Sequence, residues 1–124
     1  MTQESFDPPV VVKIYKIYLL FSPLLYHFPK LYRYSLGQTI EKNLLKMIEF
    51  IFEANALPKP LREPSLIRAS AKCELLKILV RLSFELDLIG STQYFQLIAD
   101  LKEVNKMLCG WVAYVRSGPS KKSE

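Results

Sequence analysis

Cysteine, histidine and glycine are all scarce in this chain, and each scarcity excludes something. Only Cys73 and Cys109 are present. They form neither a Cys-x-x-Cys pair nor a Cys/His set with metal-ligand spacing, so a disulfide scaffold and a zinc site are not expected. Unpaired thiols fit a reduced compartment and predict a cytoplasmic protein. His27 is the single histidine and abuts Phe28-Pro29. A triad would need partners brought to it by the fold, and the bland reading, a surface or structural histidine, is preferred. Glu85 and Asp87 point to different sides of a helix, so no acid–base carboxylate pair is offered. No phosphate loop or dinucleotide fingerprint is present. These gaps predict a protein that is not an enzyme, has no catalytic residues and uses no cofactor and no metal.

No secretory leader is expected, because Met1-Thr2-Gln3-Glu4-Ser5-Phe6-Asp7 lacks a basic start. The longest apolar run, Ile17 to Phe28, contains Ser22, Pro23 and His27 and follows Lys13 and Lys16. It reads as too short and too polar to span a bilayer, so no membrane association is expected. With only 4 glycines and no strand pattern, the chain predicts an all-α fold.

What is abundant is apolar side chain, at 50% of 124 residues. This length favours one domain large enough to fold without staples. Residues 1–9 read as a flexible arm ending in Pro8-Pro9, and 10–117 as the folded domain. Residues 118–124, Gly-Pro-Ser-Lys-Lys-Ser-Glu, read as a disordered tail. Helix 1 is predicted over about Val10 to His27, from Val11, Ile14, Tyr18, Phe21 and Leu25 at helical period, with a kink at Pro23. Phe28-Pro29 closes it. Helix 2 is predicted from about Leu31 to Ala56. Three prolines, Pro58, Pro60 and Pro64, then forbid a continuous helix. Helix 3 follows to about Ile89, with Gly90 as its left-handed cap. Ser91 is expected to cap helix 4, which runs to about Arg116. Short connections between four helices predict an antiparallel up-down-up-down four-helix bundle.

Helix 3 is apolar nearly all round. Its charged stripe (Glu74, Lys77, Arg81, Glu85) is narrow, and apolar residues from Ala71 and Cys73 through Leu75, Leu76, Ile78, Leu79, Val80 and Leu82 to Phe84, Leu86 and Leu88 lie around the rest. A bundle buries one stripe per helix, so the surplus predicts contact with another copy, a homo-oligomer. Gly37 and Gly110 each cost a helix interior up to about 1 kcal/mol relative to alanine. Close approach of another helix or subunit would explain both. Tyr34, Gly37, Gly110 and Trp111 are therefore the expected oligomer-interface residues.

Lys plus Arg number 17 against 12 Asp plus Glu, a net charge of +5. The excess suits a polyanionic partner. Arg62, Arg68 and Lys72, at the start of helix 3, have few acids nearby and are the preferred phosphate contacts. Arg33 at the helix 1–2 corner is a second candidate. Lys77 and Arg81 are third, because Glu74 and Glu85 interleave with them. Tyr32 and Tyr34 could stack on bases or pack the corner, and the packing role is preferred.

Four short motifs carry a family resemblance. Arg33-Tyr34-Ser35-Leu36-Gly37-Gln38, followed by Ile40-Glu41 and Leu44-Leu45, resembles the helix 2 opening of Avd proteins, the accessory variability determinants of diversity-generating retroelements. Phe28-Pro29 is similar to that family's helix 1 exit, and Gly90-Ser91-Thr92-Gln93-Tyr94 to its helix 3–4 turn. Met107-Leu108-Cys109-Gly110-Trp111 resembles its helix 4 ending. In register these span roughly residues 12–117. The broader relatives are four-helix proteins encoded in intervening sequences of 23S ribosomal RNA genes. The resemblance implies a homopentameric barrel of four-helix bundles. It implies binding to the retroelement's reverse transcriptase and to nucleic acid, chiefly template RNA but also DNA. Such a protein is a non-catalytic accessory to mutagenic retrohoming. The alternative is an oligomeric adaptor, or an intervening-sequence-type protein, without a reverse transcriptase partner. The chain departs from the family pattern in its modest charge and its proline-rich helix 2–3 loop.

Overall fold

Proline sets most of the helix boundaries. Pro9 opens helix α1 (Pro9–Phe21), one residue earlier than the expected arm allows. Pro23 sits at the start of a 3-10 segment, Ser22–His27, where α1 tightens instead of kinking. Phe28 is extended before Pro29, as the residue before proline prefers. Pro58, Pro60 and Pro64 bracket a 3-10 turn (Lys59–Leu61) and the first turn of the third long helix. A missing backbone N–H is harmless at such positions. The computed structural model describes residues 8–117, so residues 1–7 of the expected arm and the whole of the expected tail lie outside the described residues.

After a short turn, Lys30–Tyr32, the chain makes a π-helical segment, Arg33–Gly37, and then helix α2 (Gln38–Ala56). Helix α3 is Glu63–Glu85 and helix α4 is Ser91–Ser117. Each helix packs on two neighbours, α1 on α2 and α4, and α3 on α2 and α4. This is a closed square of four helices. Cys73 donates to the Leu101 carbonyl, Ser70 meets Asn105, and Phe84 stacks on Tyr94. Residue numbers rising on α3 while they fall on α4 mark the pair as antiparallel.

The core lies along the bundle axis. Ile14, Ile17 and Phe21 meet Ile40, Leu44, Met47 and Ile51 from α2, then Leu66, Leu76 and Val80, then Leu97, Leu101 and Leu108. Each such side chain contributes roughly 1.5–3 kcal/mol by leaving water. Phe28 joins them below the corner, edge-to-face with Phe21 at 6.0 Å.

Three local expectations are corrected. Helix α3 stops at Glu85, short of Ile89, and the left-handed residue is Asp87 (φ 61°), not Gly90. Leu88 N–H donates to Ser83 and Asp87 N–H to Phe84, the paired bonds of a Schellman ending. Ser91 is the first residue of α4, while the Gly90 carbonyl accepts from Tyr94 N–H. Finally, α1 and its 3-10 extension form one 19-residue stretch, Pro9–His27, long and apolar enough by composition to cross a membrane. Reading the run from Ile17 undercounted it. One stripe of this stretch is bundle core, and Lys13 pairs with Asp100 of α4 at 3.3 Å.

Candidate nucleic-acid interface

The cations singled out from sequence do not make one patch. At about 100° per residue, Arg68 and Lys72 lie roughly half a turn around α3 from Lys77 and Arg81. Ser65, whose hydroxyl donates to Glu53 at 3.0 Å, marks the flank of α3 that faces α2. Arg68 and Lys72 belong to that flank, Arg68 exposed and Lys72 half-buried. Among the described residues neither is in an ion pair, so both charges are available.

Lys77 and Arg81 lie on the other flank, beside α4. Here a groove of about 380 Å³ is lined by Glu74, Lys77, Arg81, Tyr94, Ile98 and Lys102 among others. Three cations face one carboxylate. Lys77 is already paired with Glu74 at 3.0 Å, a link one turn long on one helix. Such exposed pairs stabilise by well under 1 kcal/mol and give way to a stronger anion. Lys102 was invisible to a reading of helix 3 alone. Its only sequence signal is its place on the polar side of α4, and tertiary packing brings it into the groove that Lys77 and Arg81 line. Tyr94 stacks on Phe84 with centroids 4.4 Å apart and rings nearly parallel at 7°, and Phe95 lies beside them, 65% exposed. The groove therefore combines positive charge with an aromatic end.

Arg33 and Arg62 have different employment. The Arg33 guanidinium donates to the carbonyls of Leu25, Tyr26 and Phe28, each at 3.2 Å. The Leu25 carbonyl also accepts from Phe28 N–H, the bond that closes the 3-10 segment, so the guanidinium ties that ending together. Arg62 Nε donates to the Leu57 carbonyl at 2.8 Å and holds the proline loop. Sequence could not reveal this, because the accepting carbonyls are free only in the folded corner and loop. Nearby, Arg116 donates twice to Glu63 (2.9 and 2.7 Å), and Lys59 sits over the Tyr114 ring at 3.9 Å. The guanidinium holds the Glu63 carboxyl below its usual range.

The expected interface residues also separate. Gly37 is buried, and its close neighbours are Leu25 and Phe28 of its own chain. Its lack of a Cβ serves packing within the chain. Gly110 is exposed with nothing within 4 Å of where a Cβ would stand. Tyr34 is exposed and Trp111 half-buried against the core. His27 is exposed, and no group of three or more metal-capable side chains occurs among the described residues.

Comparison with known families decides the kinship that the motifs suggested. The bAvd-like family pattern matches residues 10–115. This chain is a member of the bAvd-like family. The match runs from the first turn of α1 to the last turn of α4, so it covers the whole bundle. A bAvd-like chain is of the Avd type found with diversity-generating retroelements, and its role as an accessory to such an element follows from that kinship. No individually curated protein matches the chain significantly.

Proposed function

We propose that this bAvd-like protein is a non-catalytic, cytoplasmic accessory of a diversity-generating retroelement. It binds the element's reverse transcriptase and the template RNA, and so supports mutagenic retrohoming. The observation that carries the reading is the family match over the whole bundle, on a chain of net charge +5. The unpaired Arg68 and Lys72 on one flank of α3, and the Lys77–Arg81–Lys102 groove on the other, offer two lines of positive charge about one helix diameter apart. Phosphates require reach and charge, not a shaped pocket. DNA would meet the same cations.

The proposed assembly is a ring of copies, a pentamer by the family resemblance. Two different apolar surfaces support it. On α3, Ile67, Leu75, Ile78 and Leu82 are exposed on the face opposite the core, and Leu86 is exposed just past its end. Beside the α1–α2 seam, where Tyr18 donates to Glu41, Tyr15, Leu19, Leu45 and Phe52 are exposed. Unlike surfaces on one chain join head to tail, and such contacts close into rings when the rotation allows. Gly110 and Trp111 near the end of α4 are the further proposed contacts.

RNA binding measured against salt tests the charge assignment. For every cation that no longer meets a phosphate, the slope of log affinity on log salt should fall by about 0.7–0.9. Replacing Arg68, Lys72, Lys77, Arg81 and Lys102 by alanine should flatten the slope by several times that amount. Replacing Arg62 should change it little, because its guanidinium is held by the loop. An unchanged slope in the fivefold variant would exclude these flanks. A wild type with no affinity at low salt would favour the adaptor alternative.

A further inference from the structure

The corner between α1 and α2 holds a cavity that the proposed phosphate flanks leave unused. It measures about 290 Å³, and its lining includes Ser22, Tyr26, Arg33, Tyr34, Gln38 and Glu41. Tyr26 is 80% exposed and Tyr34 61% exposed. Tyr32, two residues before Tyr34, packs on the core instead. The fold thus uses one tyrosine of the corner and leaves two flat aromatic faces at a cavity.

The polar walls are fixed in advance. Arg33 is pinned by three carbonyls. Glu41 is oriented by the Tyr18 hydroxyl, which donates to its Oε2 at 2.7 Å and leaves acceptor capacity on both oxygens. The π-helical segment Arg33–Gly37 inserts an extra residue ahead of Gln38 and Glu41, and such turns are frequent at functional sites. Walls held by other contacts lower the ordering cost of a ligand.

The occupant's chemistry follows from the walls. Tyrosine faces take a flat π system. An ionised carboxylate only accepts, so the ligand edge must donate. Among the RNA bases, guanine alone has two adjacent donors, N1–H and the N2 amino group, on its Watson–Crick edge. They match the two oxygens of one carboxylate, and the Gln38 amide can donate to the neighbouring O6. That edge is free only in an unpaired base. Lys30, which is exposed, flanks the corner in sequence and supplies charge for an adjoining phosphate.

We infer that this corner pocket binds a single unpaired guanine of RNA, stacked on Tyr26 or Tyr34, with its N1–H and N2–H donating to Glu41. The inference rests on the RNA-binding reading above, and its test separates the two. Titrating the full chain with guanosine and adenosine 5′-monophosphates, followed by NMR shifts, should show guanosine binding at least 10-fold tighter. Tyr34→Ala should weaken it about 10-fold. Glu41→Gln, which can still accept from Tyr18, should abolish the preference for guanosine. Equal affinity for the two nucleotides, or binding of neither, would overturn the pocket. So would displacement of guanosine monophosphate by N-acetylarginine amide at comparable concentration, which would mark a seat for a basic protein side chain. A uridine tract carrying one guanosine is the second probe. If it binds wild type, Tyr34→Ala and Glu41→Gln alike, the pocket fails while RNA binding stands. If guanosine monophosphate binds but no RNA does at low salt, RNA binding fails while the pocket stands.

Discussion

Gly37 is the residue on which the corner turns. A Cβ there would overlap the Leu25 side chain and stand 3.2 Å from Phe28 and 3.3 Å from the Tyr32 carbonyl. Gly37→Ala should therefore destabilise the fold by about 1 kcal/mol, because displacing Phe28 and the Tyr32 carbonyl outweighs the helix preference that alanine gains. In a Leu25→Ala background the same change should cost at least ~0.5 kcal/mol less, because the overlapping methyl group is gone. Denaturant melts of the four proteins measure both values, and a change without cost would remove the packing role given to Gly37. The cysteines differ as sharply. Burial pushes the Cys73 thiol up to about 11, while Cys109 is exposed. A thiol raised in the folded state adds stability in full below about pH 9, and loses it as pH climbs toward 11. At pH 8 a disulfide reagent should modify one thiol per native chain, at Cys109, and both after denaturation. Rapid modification of Cys73 in the native chain would contradict its burial.

The helix ends show what local pattern can and cannot decide. Prolines at 9, 23, 29, 58, 60 and 64 punctuate the chain where the sequence placed them, because a missing N–H and a fixed φ act locally. The end of α3 was misplaced for the opposite reason. Phe84 stacks on Tyr94 across the turn, and Ile89 is buried in the core, so the helix must stop early to bring α4 back. Asp87, not Gly90, takes the left-handed conformation as a result. Aspartate tolerates that region better than most residues, but glycine carries no Cβ penalty there. Asp87→Gly should stabilise the bundle by up to about 1 kcal/mol, read as a higher urea midpoint at unchanged m value. A lower midpoint would mean that the carboxylate has a role of its own. The π-helical segment was likewise hidden, since it arises from Gly37 seating against Leu25 and from Arg33 reaching three carbonyls, none of them visible as a periodicity.

At the scale of the whole molecule, the surplus of apolar side chains on α3 resolves into two opposed faces. Leu66, Cys73, Leu76 and Val80 face the core, while Leu75, Ile78 and Leu82 face away from it. If the outward face joins copies, Ile78→Glu with Leu82→Glu should reduce the mass in light scattering to that of one chain, with helical circular dichroism retained. Wild type at the mass of a single chain would remove the ring. Gly110→Ala adds an independent reading. With open space around it, alanine should raise the melting temperature by an amount equivalent to about 0.5–1 kcal/mol, and should lower the oligomer mass only if another copy packs on that glycine.

The sequence alone determined the helical class, the number of long helices and the family. Those rest on periodicity, proline positions and short ordered motifs, all of them properties of neighbours along the chain. Tertiary structure alone decided which cations are free. Arg33 and Arg62, attractive in sequence, are held by backbone carbonyls, whereas Lys102 joins the groove of Lys77 and Arg81 only when α3 and α4 pack. The reason is physical: a guanidinium or ammonium is available to a partner only after its own chain has taken what hydrogen bonds it needs. Which carbonyls are left wanting is known only once the helices have ended and met.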